Sequence, residues 1–383
     1  MNANMNANRT GLACAAVMLA MLPAAAMAAT AQKAIFGKAD DGRTVELVTL
    51  RNDKGMTVRF STRGGTFVEI DAPDRTGKVG NVVLGMPDFA HWEKAGAFNS
   101  VVGRYANRIS GGGFTLDGVF YTLRANPATG VAMHGGPKGF GSQIWQVSTF
   151  QRADAAGAVL TYVSVDGENG YPGELRVKMT YTLTNANVLR LDYEATTDKP
   201  TVINLTNHSY FNIGGDDSGS VYDQVMQVFA SRWTPTDEHQ VPRGEIVPVE
   251  GTPLDFRRPT PIRERVWSSD PQMLLAKGID HNFVLDKPHE NDLSVAVRLH
   301  DPKSGRTLEV RTTEPAVQIY TGNNLNGGMP GAGGRTLRQG DGVAFETEHF
   351  PDSPNKPNFP STVLRPGQVF HSTTEFAFGT DGG

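Results

Sequence analysis

The chain has 383 residues, of which 43 are glycine and 23 are proline, and its formal net charge is −4 at neutral pH. This length allows one large domain or two ordinary ones, and the glycine and proline content, without a long helical pattern, favours a β-rich fold. The weak negative charge argues against nucleic acid or an anionic membrane as a partner, because both select basic surfaces.

The first residues have the pattern of a secretory signal peptide. Arg9 is the only charge in this segment, residues 11–22 are apolar, and Ala26-Met27-Ala28 is a small-x-small cleavage site. The apolar run is too short to span a membrane comfortably, so we expect no stable membrane insertion after cleavage. Residues 1–28 are therefore predicted to be removed, leaving a periplasmic or secreted protein. Its only cysteine, Cys14, would be lost with them, so disulfides are not expected.

From residue 44 onwards the apolar residues alternate with the period of two that is typical of β-strands. Strands are predicted over 45–50, 56–61, 66–70, 81–84, 159–165, 175–183, 189–193, 293–299 and 308–311. Asp117-Gly118 marks a hairpin turn between two further strands, and residues 87–94 could form a helical turn that buries Trp92. Each strand has one apolar face, which predicts an all-β fold, a large antiparallel β-sandwich. No repeat or linker divides residues 29–383, which we expect to form a single domain.

A strand near the C-terminus carries a carboxylate. Val343 and Phe345 lie on one face of this predicted strand, and Glu346 lies on the other. Residues 350–360 follow as a proline-rich loop, which is irregular but stiff because each proline fixes φ and removes a backbone donor. A carboxylate held in this way could act as a catalytic base. The stretch alone also allows an edge strand with a solvated glutamate.

Three other segments concentrate polar residues. Residues 201–213 form a predicted strand with an unbroken polar run that is costly to bury, so it should line a polar cleft. His208 in this run is a candidate acid or base because an unperturbed histidine titrates near neutral pH. His134 precedes two glycines and a proline in a tight turn that a ligand could approach, although it could also be structural. Arg104 and Arg108 could bind hydroxyl or carboxyl oxygens or lie on the surface.

With these segments the chain resembles the aldose 1-epimerase (galactose mutarotase) family. The matching segments occur in the family's order and extend over nearly the whole predicted mature chain. They are Asn107-Arg108-Ile109, His134-Gly135-Gly136, Gly170-Tyr171-Pro172-Gly173, 204–212, 278–283, 318–323 and the strand of Glu346. The resemblance implies a galactose mutarotase-like supersandwich. It also implies an isomerase that interconverts the α and β anomers of free hexoses such as glucose and galactose.

The resemblance also implies roles for individual residues. Glu346 would be the general base, His208 the general acid, and His134 a second histidine close to the ring oxygen of the sugar. The implied sugar-binding residues are Asn107, Arg108, Asp280 and Gln318. The chain has Glu348 where many relatives carry glutamine, on the same strand face as Glu346. It could raise the pKa of Glu346 by repulsion between like charges.

Anomer interconversion needs one base and one acid held about a sugar-width apart in a cleft, and no metal or cofactor is required. We therefore predict neither, and the expected partner is a small monosaccharide. The candidate metal-ligating histidines have no i,i+4 pair among them: His134, His208, His281 and His349. The sequence leaves the oligomeric state and the preferred aldose open.

Other activities remain as alternatives. A glycoside hydrolase would need a second carboxylate, for which Asp280 is a candidate. A hexose-phosphate epimerase would need an arginine cluster, for which the chain offers Arg104 and Arg108. A non-catalytic sugar-binding module on the same scaffold would be expected to lack Glu346 or His208, and the chain has both.

Overall fold

The period-two pattern of the sequence reappears as alternating burial along the strands. The computed structural model describes residues 1–2 and 29–382, so the predicted signal peptide, apart from its first two residues, lies outside the described residues. The predicted inward face of one long strand is confirmed: Leu175, Val177, Met179, Tyr181 and Leu183 are each at most 2% exposed. The predicted helical turn is also present, and Trp92 in it is buried.

The described residues contain strands β1 to β30 and three short α-helices. The first strands are β1 (Thr30–Lys38), β2 (Thr44–Arg51), β3 (Thr57–Ser61), β4 (Phe67–Pro73), β5 (Val79–Asn81), β6 (Val101–Val102), β7 (Arg108–Ile109), β8 (Gly113–Leu116), β9 (Val119–Thr122) and β10 (Ala132–Met133). Next come β11 (Gln146–Gln151), β12 (Ala155–Ser164), β13 (Leu175–Thr184), β14 (Val188–Thr197), β15 (Thr201–Val202), β16 (Thr206–Asn207), β17 (Tyr210–Phe211), β18 (Val225–Val228), β19 (Ala230–Trp233) and β20 (Val247–Pro248). The last are β21 (Thr260–Pro261), β22 (Asp280–Leu285), β23 (Ser294–His300), β24 (Arg306–Thr312), β25 (Ala316–Tyr320), β26 (Asn326–Pro330), β27 (Thr336–Arg338), β28 (Val343–Glu348), β29 (Val363–Leu364) and β30 (Phe370–Thr380). The helices are α1 (Phe89–Trp92), α2 (Arg263–Val266) and α3 (Pro271–Ala276). Within residues 1–2 and 29–382, no helix has the length and apolar character to cross a membrane.

Three antiparallel sheets share one apolar core. Their strand orders are β1-β2-β3-β4-β5, β11-β12-β13-β14-β30-β24-β23-β18-β21 and β17-β28-β25-β22-β19-β20. Phe60 on β3 meets Tyr181 on β13 with ring centroids 5.0 Å apart, and Phe211 on β17 meets Phe376 on β30 at 4.9 Å. These side chains belong to one buried cluster. The predicted all-β sandwich is thus confirmed.

The strand that carries Glu346 lies inside the six-stranded sheet. β28 pairs with β17 on one side and with β25 on the other, where Glu346 is opposite Gln318. Val343 and Phe345 point into the shared core, whereas Glu346, on the other face, is only 2% exposed. The predicted orientation is correct, and the alternative of an edge strand with a solvated glutamate is wrong.

The polar run of residues 201–213 is not one strand. It is divided into β15, β16 and β17, each two residues long, and each pairs with a different strand. The polar side chains between them are buried and bond to the backbone of other segments: Asn204 contacts His349, and Asn212 contacts Gly219 and Asp341. Such bonds offset the cost of burial without a cleft. The prediction that this run lines a polar cleft is therefore correct for His208 and Tyr210, which line a cavity, and wrong for Asn204 and Asn212.

Candidate active site

A cavity of about 200 Å³ lies against the face of the six-stranded sheet on which Glu346 stands. The residues that line it are Asn107, Arg108, Met133, His134, His208, Tyr210, Asp280, Tyr320, Asn324 and Glu346. Every predicted site residue except Gln318 is among them, and Gln318 reaches the site through Asp280. This volume is below the roughly 300–1,000 Å³ of pockets for drug-sized ligands, so the cavity can take only a small molecule.

Glu346 and His208 form the centre of the cavity. Oε1 of Glu346 is 3.4 Å from Nε2 of His208, while Oε2 of Glu346 is buried and has no hydrogen-bond partner among the described residues. Burial, followed by the nearby Asp280 charge, raises the pKa of Glu346 well above its ordinary value. The unpartnered oxygen can accept a proton or a hydrogen bond from a ligand.

His208 is held between aromatic rings. Its imidazole stacks on Tyr210 with ring centroids 4.9 Å apart and meets Tyr320 edge-on at 6.0 Å. Because the ring is only 6% exposed, burial lowers the pKa of His208 to about 4. The two tyrosines were not recognised as site residues in the sequence, although Tyr210 lies in the segment 204–212 and Tyr320 in the segment 318–323.

His134 stands on the tight turn that the sequence predicted. Its φ is 50°, and a Cβ on the next residue, Gly135, would lie 2.0 Å from the carbonyl oxygen of Gly103. The backbone N–H of Asn107 donates to Nδ1 of His134 over 3.2 Å. Burial, with the charges of His208 and Arg108, lowers the pKa of His134 well below its ordinary value. A neutral ring that accepts at Nδ1 carries its hydrogen on Nε2, so His134 is a hydrogen-bond donor there.

The predicted sugar-binding residues form one hydrogen-bonded group. Nη2 of Arg108 is 3.1 Å from Oδ2 of Asp280, and Nε2 of Gln318 donates to Oδ1 of Asp280 over 2.6 Å. Arg108 also donates to the side-chain oxygens of Asn107 and Gln240. Burial opposes ionisation of Asp280, but the Arg108 charge and the Gln318 hydrogen bond hold its pKa below the ordinary value. Gln240 lies in an irregular segment and had no sequence signal.

Glu348 is a second buried carboxyl group close to Glu346. It is 0% exposed, and Nδ2 of Asn107 donates to its Oε1 over 3.0 Å. Burial, followed by the charge of Glu346, raises the pKa of Glu348 well above its ordinary value. The expectation that Glu348 raises the pKa of Glu346 is not confirmed: the charge of Glu346 raises the pKa of Glu348, whereas the charge that raises the pKa of Glu346 is that of Asp280.

Arg104 does not belong to the cavity. It is 2% exposed, and its guanidinium donates to the carbonyl oxygens of Pro172 and Gly173 over 2.8 Å and to Oγ of Ser164 over 2.6 Å. The suggestion that Arg104 could bind substrate oxygens is wrong. Its planar guanidinium group instead links residues 170–173 to the segment that precedes β7.

The fold brings together a cluster that histidine spacing in the sequence did not indicate. One ligand-type atom from each of His134, His208 and Glu346 lies within 4.8 Å of the other two. A metal ion would need a lone pair from each ring, but the hydrogen bond from the Asn107 backbone places a hydrogen on Nε2 of His134. The cluster therefore suits exchange of protons with a bound molecule.

These features define a β-sandwich enzyme with an acid–base site for a small polar substrate. A family model described as Aldose 1-epimerase matches residues 46–377. The chain belongs to the aldose 1-epimerase family.

Relatives match over most of their length. The chain is 39% identical to a galactose mutarotase of Sus scrofa over 348 residues, which cover 90% of this chain and 98% of that protein. It is 37% identical to an aldose 1-epimerase of Escherichia coli (strain K12) over 344 residues, 89% of this chain and 97% of that protein. The structure of a galactose 1-epimerase from Lactobacillus acidophilus superposes with a TM-score of 0.81 at 28% identity, covering 92% and 99% of the two chains. The family resemblance and the expected fold are thus confirmed.

Proposed function

We propose that this protein is an aldose 1-epimerase that interconverts the α and β anomers of free hexoses such as glucose and galactose. The observation that carries the proposal is the buried pair of Glu346 and His208, 3.4 Å apart, beside the hydroxyl-binding group of Arg108 and Asp280. The names of the relatives, galactose mutarotase and aldose 1-epimerase, support the same reaction.

The reaction requires two proton transfers in each direction. Glu346 takes the proton of the C1 hydroxyl while His208 gives a proton to the ring oxygen, the C1–O5 bond breaks, and an open-chain aldehyde forms. After rotation about the C1–C2 bond, the ring closes on the other face of the carbonyl and both protons return. The number of protons on the enzyme is the same before and after each step, so no external acid is consumed.

The buried environment favours the ring-opening direction of transfer. Opening requires that Glu346 be ionised and His208 protonated, and it leaves both side chains neutral. Burial raises the pKa of Glu346 and lowers that of His208, so it stabilises the neutral pair relative to the charged pair. Opening therefore converts the disfavoured charged pair into the favoured neutral pair, while forming the charged pair beforehand has the matching free-energy cost.

The remaining residues hold the sugar. Nε2–H of His134 is available to the ring oxygen, and the Arg108–Asp280 pair presents donors and acceptors for vicinal hydroxyls. Asn107 and Gln318 keep this pair in place through their own hydrogen bonds. These contacts act on the substrate and on the transition state alike, so they contribute mainly to binding.

The geometry gives less support to the alternative reactions. Among the described residues that line the cavity, Arg108 is the one arginine, whereas a sugar phosphate calls for several. Both oxygens of Asp280 are already engaged by Arg108 and Gln318, which makes it a weak second carboxylate for glycoside hydrolysis.

We further propose that residues 1–28 are a signal peptide and that the mature protein is periplasmic or secreted, without stable membrane insertion. The apolar run and the Ala26-Met27-Ala28 site support this proposal. Ala29, the next residue, is 1% exposed and directly precedes β1, so a chain that begins there would keep the whole sandwich.

Polarimetry tests the activity. Freshly dissolved α-D-glucose and α-D-galactose should reach their equilibrium rotation faster with the purified mature protein than in buffer alone. The Glu346→Gln protein, at the same concentration, should give a rate close to that of buffer. If the unmodified protein accelerates neither sugar, the proposed function is wrong.

A further inference from the structure

The strand that carries Arg108 has little support from its own sheet. β7 is only two residues long, Arg108–Ile109, and within its sheet it pairs only with β10, which is equally short. Yet the guanidinium of Arg108 must be held at 3.1 Å from Asp280 to present a defined surface to a sugar. So short a strand pair is not independently stable, and some other element must fix this backbone.

Asp352 supplies the missing support on the other side of β7. Its backbone N–H donates to the carbonyl oxygen of Arg108 over 2.8 Å. Its carboxylate accepts from both groups of Ser110: the backbone N–H donates to Oδ1 over 2.9 Å and the hydroxyl to Oδ2 over 2.8 Å. Asp352 thus brackets the segment 108–110 by bonds at each end, and because Asp352 is 0% exposed, water does not compete well for them.

The position of Asp352 is itself fixed by its surroundings. Its φ is 60°, a left-handed conformation that aspartate and asparagine tolerate better than most residues. Nδ2 of Asn355 donates to its Oδ1 over 2.8 Å and also contacts the carbonyl oxygen of Gly113. Nζ of Lys356 lies 3.5 Å from Oδ2. The segment that leaves β28 after Glu346 is therefore anchored directly onto β7.

We infer that Asp352 is a positioning residue that holds the backbone of Arg108 so that its guanidinium meets Asp280 and the sugar. The inference rests on the proposed function. On this inference one segment, from Glu346 to Asn355, has two roles. It carries the proposed base, Glu346, near its start, and through Asp352 it fixes the backbone of the sugar-binding residue Arg108.

Asp352→Asn is the most informative variant. Asparagine has the same size and tolerates the same φ, but one of its two terminal atoms becomes a donor. That nitrogen cannot face the Ser110 and Asn355 N–H donors, so it takes the position of Oδ2. There the Ser110 hydroxyl can turn to accept from it, but the ion pair with Lys356 and the charge that strengthens the remaining bonds are lost. We expect KM and the sugar Kd to rise about tenfold with kcat changed less than about threefold, since a binding group is displaced while the acid–base pair is not.

Two further variants separate positioning from a general loss of structure. Asp117→Asn is a matched control: Asp117 also has a positive φ, 50°, but it is exposed and pairs with Arg365 on the surface. Its KM and Kd should equal those of the unmodified protein. Ser110→Ala removes only the hydroxyl bond to Asp352, so it should give a smaller rise in KM in the same direction, and it serves if Asp352→Asn does not fold.

The double variant Asp352→Asn/Arg108→Ala gives the decisive comparison. If Asp352 acts through Arg108, its substitution should add little to the KM of Arg108→Ala, whereas independent effects would multiply. Sugar affinity is measured by calorimetry with galactose as well as by kinetics, so the result does not depend on turnover. Unchanged KM and Kd in Asp352→Asn and in Ser110→Ala, or multiplicative effects in the double variant, would overturn the inference. Lack of mutarotation by the unmodified protein would instead contradict the proposed function.

Discussion

At the scale of single residues, the proposed chemistry depends on burial shifting the pKa of a carboxyl group and that of an imidazole in opposite directions. Burial disfavours the charged form of both groups. It therefore raises the pKa of the Glu346 carboxyl group and lowers the pKa of the His208 imidazole. The two groups are 3.4 Å apart. In the proposed ring opening Glu346 accepts one proton while His208 donates another, so the pair as a whole carries one proton before and after the step.

The first prediction concerns the base. Glu346→Gln keeps the shape of the side chain but cannot accept a proton, so kcat should fall by at least about 10²-fold. The sugar Kd should change far less, because Arg108 and Asp280 still bind the hydroxyls. Mutarotation rates and calorimetric affinities provide the measurement. Near wild-type turnover in this variant would mean that the base lies elsewhere.

The second prediction concerns Glu348 and pH. Its folded-state pKa is raised above the ordinary value of 4.5, so between these two values the folded state binds more protons than the unfolded state. The free energy of unfolding of the wild-type protein therefore falls as pH rises through that window. Glu348→Gln does not titrate, so it should be more stable than the wild type at pH 8, by about 1.4 kcal/mol per unit of pKa shift, and lose this advantage below pH 4.5.

Glu309→Gln is a control for which the change in stability at pH 8 should have the opposite sign. Burial opposes ionisation of Glu309, but hydrogen bonds from Arg298 and Arg311 hold its pKa below the ordinary value. Its contribution to stability is therefore present above the unfolded pKa and lost as pH falls through the folded pKa. This variant should be less stable than the wild type at pH 8. Denaturant unfolding at pH 4 and pH 8 compares the three proteins, and a Glu348→Gln protein that is destabilised at pH 8 would contradict the assignment.

At the scale of elements, short strands depend on buried polar side chains from other segments. β7, β10, β15, β16 and β17 are each two residues long, so their own ladders contribute few hydrogen bonds. Arg104 joins the segment before β7 to the loop 170–173, and Asp352 joins β7 to the loop after β28. These two side chains hold the backbone around β7 in place by hydrogen bonds, as pairing with long neighbouring strands does elsewhere in the sandwich.

The third prediction tests this role for Arg104. Arg104→Met keeps much of the side-chain volume but leaves the carbonyl oxygens of Pro172 and Gly173 without their donor. Each unsatisfied buried group costs about 1–3 kcal/mol, so the loss of both bonds should lower the free energy of unfolding by about 2–6 kcal/mol. Arg176→Met, at an exposed surface ion pair, should change it by no more than about 0.5 kcal/mol. Equal effects of the two substitutions on denaturant unfolding would refute the assigned role.

At the scale of the whole molecule, one core joins the three sheets. Phe60, Tyr181 and Phe345 come from the five-, nine- and six-stranded sheets and belong to the same buried cluster. The site lies on the outer face of the six-stranded sheet, so its polar residues are supported by a rigid apolar layer without being part of it. This separation lets the cavity carry buried charges while the core stays apolar.

The fourth prediction concerns the N-terminus. When the full chain is expressed with a secretion system, the exported protein should begin near Ala29, because Ala26-Met27-Ala28 has small residues at the positions that a signal peptidase requires. Ala28→Arg should block processing. N-terminal sequencing of the exported fraction decides the question, and a cytosolic chain that retains Met1 would contradict the prediction.

Local patterns in the sequence were sufficient to predict most of the strands that were expected, the orientation of Glu346 and the turn of His134. The strand expected over 81–84 is wrong, because β5 ends at Asn81, and so is the single strand over 201–213. Alternation of apolar and polar residues depends on the period of a strand, and a histidine before two glycines depends on local φ, so neither needs knowledge of distant contacts. The family resemblance added the grouping of Arg108, Asp280 and Gln318, which the residues alone did not indicate.

Only the tertiary structure decided which polar residues serve the site and which serve the fold. Arg104 and Arg108 have similar surroundings in the sequence, yet one is buried among loop carbonyls and the other lines the cavity. Asp352 looked like one residue of a stiff loop and proved to hold β7. The reason is physical: a hydrogen bond between residues far apart along the chain depends on strand register and loop path, which local patterns do not encode.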